Sequence, residues 1–439
     1  MFDLRVLPLM TRDYPDSRGR RTPQVWFPGC AASSGSDRRT AVPVGLLSCH
    51  SRRGRGPRRP DVQRPRNEGS TVETAEANGL RWEVREFLAA QIRSGSFVPK
   101  VDAWLTVWDE EFSRALADCG WVGMTIPAEY GGHGRSFLER FVVTEELLAA
   151  GAPVAAHWIA DRQMAPALIR FGTPEQRRTF LPAIARGESY WAIGMSEPDS
   201  GSDLASVRTR ADRVDGGWRV TGTKVWTSGA HRANAMMVLV RTEPADARHR
   251  HAGLSQMIVE LPCPDVHIRA IRQADGEHHF NEVHFDGAFV PDERVVGSLG
   301  DGWAQVTAEL AYERSGPERL LSMYPLLAGL LAPAVSANRV GEVGRLLARL
   351  AGLRHMSASV AADLERGEPV DSAAAAVKVL GTTLEGDIAD LADAVTGDEA
   401  DESVFAMTRR ALAHRPGLTL RGGTNEVLRG VIVKEMGLR

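Results

Sequence analysis

The spacing of hydrophobic residues changes twice along this chain, from helical to alternating and back, and any fold must accommodate both changes. Over residues 80–190 the apolar positions recur at helical spacing. Trp82, Val84, Phe87 and Leu88 open an amphipathic stretch, and Phe112, Leu116 and Ala117 continue the period. A turn-rich break at residues 125–132 interrupts it, and helices resume over residues 138–150. Thr173-Pro174-Glu175-Gln176 reads as an N-cap, a proline at the first helical position and an acidic first turn. Over residues 191–297 the period moves toward two. Residues 218–222, 236–240, 256–260 and 282–285 read as strands, and Asp215-Gly216-Gly217 is a hairpin signal. From Trp303 onward Leu/Ala-rich segments such as residues 346–350 and 388–392 fit a helical bundle.

Composition sets the scale. The chain has 439 residues, 43% hydrophobic and 25% charged, which is globular and allows two or three domains. No apolar run is long enough to span a bilayer, and the first ten residues are too short and too poorly patterned for a secretory signal. Cys30, Cys49, Cys119 and Cys263 form no CxxC pair, so a reducing, cytoplasmic setting is expected, with Cys119 and Cys263 as small buried hydrophobes.

The formal net charge of −3 hides an asymmetry: residues 1–71 hold 14 arginines and six acidic residues. That head is rich in Pro, Gly and Ser and lacks interleaved aromatics, so disorder is expected rather than nucleic-acid binding. The only lysines are Lys100, Lys224, Lys378 and Lys434. This usage suggests a GC-rich gene with a native start near Val72. The expected organisation is α+β multidomain: a head at 1–71, an N-terminal helical domain at 72–190, a middle antiparallel β domain at 191–297 and a C-terminal helical domain at 298–439. No Gly-rich dinucleotide fingerprint follows a strand.

One segment gives the pattern a chemical meaning. Gly194-Met195-Ser196-Glu197-Pro198-Asp199-Ser200-Gly201-Ser202-Asp203 resembles the flavin-binding signature of the acyl-CoA dehydrogenase family. Further matches follow in order: Gly120-Trp121-Val122-Gly123, Pro127-Ala128-Glu129-Tyr130-Gly131-Gly132, Phe171-Gly172-Thr173, Lys224-Val225-Trp226-Thr227-Ser228-Gly229 and Gly423-Thr424-Asn425-Glu426. Each is weak alone, but the colinear set covers roughly residues 80–439. The resemblance implies an N-terminal helical domain, a middle β-barrel and a C-terminal four-helix bundle. It also implies bound FAD and an acyl-CoA substrate oxidised to the trans-2-enoyl-CoA. Electrons would pass to an electron-transferring flavoprotein.

The resemblance also assigns roles. Removing two hydrogens from unactivated carbons calls for a base at the α-carbon, hydrogen-bond donors at the thioester oxygen and a hydride acceptor. Glu313 aligns with the helix-borne base of the isovaleryl and long-chain members. Most other members place the base on a C-terminal loop, at the position matching Gly422, which has no carboxylate here. The competing reading of Glu313 is a solvated helix glutamate paired with Arg319 or Arg314. Gly422 keeps the backbone amide that binds the thioester oxygen in the family. Met195 and Ser196 match the segment touching the flavin ring, and Gly201 and Ser202 the turn meeting the pyrophosphate. Trp226 and Ser228 match the pair at the isoalloxazine, although a tryptophan in a β domain is more often core. Thr424 and Glu426 match positions near the flavin and its ribose, with Glu426 in place of a common Gln. His278-His279 tempts a metal reading, but adjacent strand residues point to opposite faces, so no metal is expected.

Two family motifs are missing. An Arg-x-x-Phe-Gly element is replaced by the sequence of residues 337–345, and a Gln-x-Phe-Gly-Gly element by residues 393–400. In homotetrameric members both hold the neighbouring subunit's FAD. The expectation is a dimer or tetramer, heteromeric with a related subunit that supplies these elements, as in some actinobacterial members that degrade sterol side chains. The other readings are a non-catalytic partner subunit and a flavin oxidase or monooxygenase on the same fold. Gly316-Pro317 is expected to kink the Glu313 helix and widen the pocket for a bulky or branched acyl group.

Overall fold

A computed structural model of the chain describes residues 74–438, apart from residue 247 and residues 332–337 and 397–400. The expectations for the head at 1–71, and those parts of the two motif-replacement segments, lie outside the described residues. All described residues belong to one of the two units into which the chain divides.

The N-terminal helices start where the sequence supplies caps. Thr74 accepts from the Ala77 amide to begin the Ala75–Ser94 helix. Ser136 with Glu139 and Thr173 with Gln176 form reciprocal capping boxes at the Phe137–Ala149 and Pro174–Ala185 helices. Trp82 corrects the expected stripe. It is 62% exposed, and the buried face is Leu80, Val84 and Leu88. Four-residue spacing puts those three on one side and leaves Trp82 off it. The Ala155–Ile159 and Ala165–Phe171 helices are joined by a π-helical turn, Ala160–Met164.

The middle segment forms β1 (Trp191–Gly194), β2 (Arg210–Val214), β3 (Gly217–Lys224), β4 (Ala235–Arg241), β5 (Leu254–Glu260), β6 (Val266–Arg272), β7 (His278–Pro291) and β8 (Val295–Val296). All four expected strands and the hairpin are present. Val214 pairs with Gly217 across Asp215 and Gly216, and Gly216 takes the φ of 71° that this tight turn requires. The sheet order is β6-β7-β3-β2-β4-β5-β8, with β1 beside β4. Two details differ from an antiparallel barrel: the path stays open, and β1 pairs β4 in parallel, as does the end of β2. A parallel pair needs a long connection, here the signature loop and the β2–β3 hairpin. Every residue of β4 is buried. Met236, Val238 and Val240 enter the sheet's own core, while Ala235 and Met237 meet the helices through Ile159, Met164 and Leu168. A strand covered on both faces reads as a continuous apolar run.

The C-terminal helices are Gly302–Ser315, Tyr324–Gly329, Val340–Glu365, Asp371–Val395, Glu402–Leu418 and Asn425–Glu435. Gly316-Pro317 ends the Glu313 helix instead of kinking it, and Pro317–Arg319 forms a 3-10 turn. Proline cannot donate to the preceding turn, so the helix stops at Ser315. The N- and C-terminal helices share one core, in which Val84, Leu116 and Val142 lie with Leu326, Val360 and Ile388. Cys119 is exposed and Cys263 half-buried, so neither is the buried hydrophobe expected.

One polar network crosses all three parts. The buried carboxylate of Asp102 accepts from Arg421 Nη1 at 2.7 Å and Nη2 at 2.6 Å, and pairs with His414 Nδ1 at 3.0 Å. The other ring nitrogen of His414 meets Asp275, between β6 and β7, at 2.6 Å. Burial alone would push the Asp102 carboxyl up, but Arg421 and His414 override it and hold it well below the usual carboxylate range. Burial likewise opposes the charged form of His414, and Asp102 and Asp275 raise its pKa above the usual value.

Candidate functional site

The Gly302–Ser315 helix lies against the sheet through Val306 and Leu310, which cluster with Leu239, Leu254 and Met195. Glu309 and Glu313 are four residues apart and share a helix face. Glu313 keeps 20% of its side chain exposed, and its Oε1 accepts from Arg319 Nη2 at 2.9 Å. Arg319 Nε also donates to the Glu313 carbonyl at 3.0 Å. The pairing with Arg319 that the competing reading required is therefore present, but Arg319 itself is buried. Arg314 turns the other way and donates to the Gly422 carbonyl at 3.0 Å.

Gly422 closes the other side. It has φ of 70°, and a Cβ built on it would lie 3.0 Å from Glu313 Oε1 and 2.8 Å from Arg319 Nη2. The two positions that the resemblance singles out for a base thus lie side by side, although they are 109 positions apart in the chain. The Gly422 loop is pinned on several sides. Lys378 Nζ donates to the Thr419 carbonyl and to Asn425 Oδ1, both at 2.9 Å, while Arg421 reaches Asp102. Burial, followed by the nearby Arg319, lowers the Lys378 pKa to about 7. Among the described residues the Gly422 amide has no backbone acceptor. Thr424 caps the last helix by accepting from Val427, and Glu426 lies exposed in its first turn.

The residues expected to face a flavin gather at the end of β1 and β3. The Ser196 carbonyl accepts from the Val225 amide at 2.9 Å, and the Met195 carbonyl from Lys224 Nζ at 3.0 Å. Lys224 is fully buried and also donates to Glu197 at 2.8 Å. Glu197 accepts from the Arg208 and Thr209 amides as well, which fixes the signature loop. Burial lowers the Lys224 pKa to about 8, with Glu197 opposing. Trp226 is not core: it is 58% exposed with φ of 59°, edge-on to Phe280. Thr227 and Asn281 exchange backbone bonds, which ties the Trp226 segment, with half-buried Ser228, to β7. Gly201 and Ser202 lie in an exposed bend, and a Cβ at Gly201 would meet open space. An exposed indole, the buried Thr227 hydroxyl without a partner among the described residues, and an open Gly-Ser bend fit a large planar cofactor with an anionic tail. His278 and His279 follow the strand alternation, with His278 near His231 and His279 buried; burial drives the His279 pKa down to about 3.

The sequence reading missed Glu309. It is fully buried, accepts from Gln256 Nε2 at 3.2 Å, and has no partner for Oε1 among the described residues. Burial raises its pKa to about 8, with the Glu313 charge a smaller contribution. A glutamate at a core position of an otherwise apolar stripe was the available signal. The linkage has a definite sign. Between the unfolded value near 4.5 and about 8 the native state holds a proton that the unfolded chain has lost. The stability contributed by Glu309 is therefore complete below pH 4.5 and is lost as pH rises through 8. Glu309→Gln should gain on the wild type from pH 5 to pH 8, on the order of a few kcal/mol in urea unfolding. A difference that does not grow with pH would contradict the assignment.

Comparison with known proteins places this geometry in context. Family models match three consecutive segments: "Acyl-CoA dehydrogenase, N-terminal domain" over residues 74–188, "middle domain" over 192–288 and "C-terminal domain" over 340–437. The chain is 36% identical over 342 residues to the acyl-CoA dehydrogenase IpdE1 of Mycobacterium tuberculosis, a match covering 75% of this chain and 86% of that protein. It is 41% identical over 247 residues to the acyl-CoA dehydrogenase FadE34 of the same organism, covering 55% of this chain and 32% of FadE34. The chain thus spans about a third of FadE34's length. Among solved structures, the Tcur3481-Tcur3483 steroid ACAD matches with a TM-score of 0.73 at 28% identity, over 83% of this chain and 98% of that one. The ChsE4-ChsE5 complex from Mycobacterium tuberculosis gives 0.70 at 28%, with the same coverage.

Proposed function

This chain belongs to the acyl-CoA dehydrogenase family of FAD-dependent oxidoreductases, and from that premise we propose that Glu313 removes the α-proton of an acyl-CoA thioester. The observation that supports this reading is that a side chain built at Gly422 would start within 3.0 Å of Glu313 Oε1, so the two positions share one site. Arg319 grips one carboxylate oxygen and the carbonyl of the same residue, so the carboxylate is held in one orientation. The second oxygen, without a protein hydrogen bond among the described residues, is the one to take the proton. As the proton leaves, negative charge collects on the thioester oxygen, and the Gly422 amide is the donor for it.

FAD, when bound, supplies the acceptor for the β-hydride. Met195, Ser196, Trp226 and Ser228 would hold its ring system, Gly201 and Ser202 its pyrophosphate, and Thr424 and Glu426 its nearby polar groups. The buried Glu197–Lys224 pair keeps the Met195–Ser196 backbone in register with Trp226. An electron-transferring flavoprotein would be the partner that takes up the electrons.

The functional unit is a heteromer. The missing Phe-Gly and Phe-Gly-Gly elements support it, as do two structural relatives whose names each join two proteins. A bulky acyl group is the substrate, a reading supported by the description of one of those relatives as a steroid ACAD.

In a Glu313→Ala background, which should lose about 10²–10⁴-fold in turnover, Gly422→Glu should restore part of the activity. The new side chain adopts an unfavourable positive φ at a stability cost of about 1–2 kcal/mol. Full activity in Glu313→Ala would contradict the base assignment. For the heteromer, visible absorbance of residues 72–439 purified alone should show well under one FAD per chain, with loading restored by a related subunit. One tight FAD per chain in the homomer would rule the heteromer out.

A further inference from the structure

Lys378 is a buried lysine with no part in the proton or hydride transfer described above. It lies in the Asp371–Val395 helix and is wholly shielded from solvent. Burying an amine is costly unless it is hydrogen-bonded, and both partners of Lys378 lie at the ends of one short loop. Its Nζ donates to the Thr419 carbonyl, just before the loop, and to Asn425 Oδ1, just after it, both at 2.9 Å. The Thr419 carbonyl also accepts from the Asn425 amide at 3.0 Å. Asn425 Oδ1 accepts from the hydroxyl of Thr382, one helical turn along from Lys378, at 3.3 Å. Residues 420–424 therefore form a loop drawn shut at its base, and Lys378 holds both ends.

That loop carries the donor for the thioester oxygen. The amides of Leu420 and Arg421 donate to the Gly417 carbonyl, whereas the Gly422 amide has no backbone acceptor among the described residues. Two contacts bracket the Gly422 peptide: the Arg421 side chain on Asp102, and Arg314 Nε on the Gly422 carbonyl. Neither fixes where the loop begins and ends. Gly422 and Gly423, with φ of 70° and 87°, leave the backbone between those ends wide conformational freedom. An amide there is aimed only as well as the ends are held, and a misplacement of about 1 Å can cost roughly 100-fold in rate.

The clasp does not depend on charge. Burial, then Arg319, lowers the Lys378 pKa to about 7; Glu313 opposes, and Arg421 and Arg314 add smaller contributions in the same direction as Arg319. A neutral amine keeps two N–H donors, one for each of the two acceptors, so both protonation states of Lys378 close the loop. We infer that Lys378 is a positioning residue for the dehydrogenation: by clasping both ends of the Gly422 loop it sets the aim of the Gly422 amide at the thioester oxygen. The inference rests on the acyl-CoA reading above, which gives that oxygen to Gly422.

The test uses the FAD-loaded enzyme, with its partner subunit where loading requires one. The probe is cyclohexylthioacetyl-CoA with a ¹³C-labelled thioester carbonyl; sulfur replaces its β-carbon, so it can lose an α-proton but no β-hydride. Calorimetry reads affinity, isotope-edited infrared difference spectra read the carbonyl stretch, and mass spectrometry reads α-deuterium uptake in D₂O. In the wild type the bound carbonyl should absorb below its frequency in water, and the α-protons should exchange. Lys378→Met should move the band back toward its frequency in water and slow exchange about 10–100-fold, with affinity and FAD content near wild type, since uniform binding is untouched. Thr382→Val, which loosens one end only, should change both readouts in the same direction by less, and it decides the matter if Lys378→Met does not fold. A wild-type band and exchange rate in the variant tested would overturn the proposal. Losses of affinity and FAD without a band shift would overturn it too, leaving Lys378 a structural lysine only. A wild type with neither band shift nor exchange would sink the acyl-CoA reading itself, and this inference with it.

Discussion

The carboxylate of Asp102 is the point at which the parts of the site are tied together. A fully buried charge is tolerated only when paired and hydrogen-bonded, and removing one partner of such a pair typically costs about 3–5 kcal/mol. Here the partners come from distant stretches of chain: Arg421 from the Gly422 loop, and His414 from the preceding helix, which in turn holds Asp275 of the β domain. Arg410 adds a further link to Glu277. Trp104 lies beneath the guanidiniums of both Arg421 and Arg319, at 5.0 and 5.4 Å. The residue that grips Glu313 and the residue beside Gly422 therefore rest on one aromatic surface. Shifting the loop would unpair a buried carboxylate, and this keeps the Gly422 backbone beside Glu313.

The Glu313 helix shows how neighbouring carboxylates acquire different surroundings. Glu309 faces the sheet, where burial and a single amide donor favour its protonated form. Glu313, one turn later, faces a guanidinium and a glycine loop. Pairs of like groups in contrasting environments are a common basis for acid–base chemistry. The absence of a Cβ at Gly422 is part of the same arrangement, since any larger residue would crowd both Glu313 and Arg319.

Much of this was legible in sequence, for physical reasons. The Thr173 capping box and the continuous apolar run of β4 are local signals, and local signals survive in sequence. Glu313 and Gly422 were paired through the order of family motifs, since no spacing rule joins residues 109 positions apart. Other features depend on tertiary packing. Trp82 matched helical spacing but lies on the solvent side. Gly316-Pro317 read as a kink and acts as a stop. The open sheet and its parallel β1–β4 pair follow from pairing that a period of two cannot specify. Arg421 with Asp102, and Arg140 beside Arg162, are charged residues whose burial is set by partners hundreds or tens of residues away.

The central claim is that Glu313 takes the α-proton, and hydrogen exchange measures that step apart from oxidation. An acyl-CoA analogue that can lose its α-proton but cannot be oxidised at the β-carbon would be incubated with the FAD-loaded enzyme in D₂O, with α-deuterium read by mass spectrometry. The account predicts steady exchange in the wild type and near-background exchange in Glu313→Gln at equal FAD content. Equal exchange in the two proteins would contradict it and move the base elsewhere.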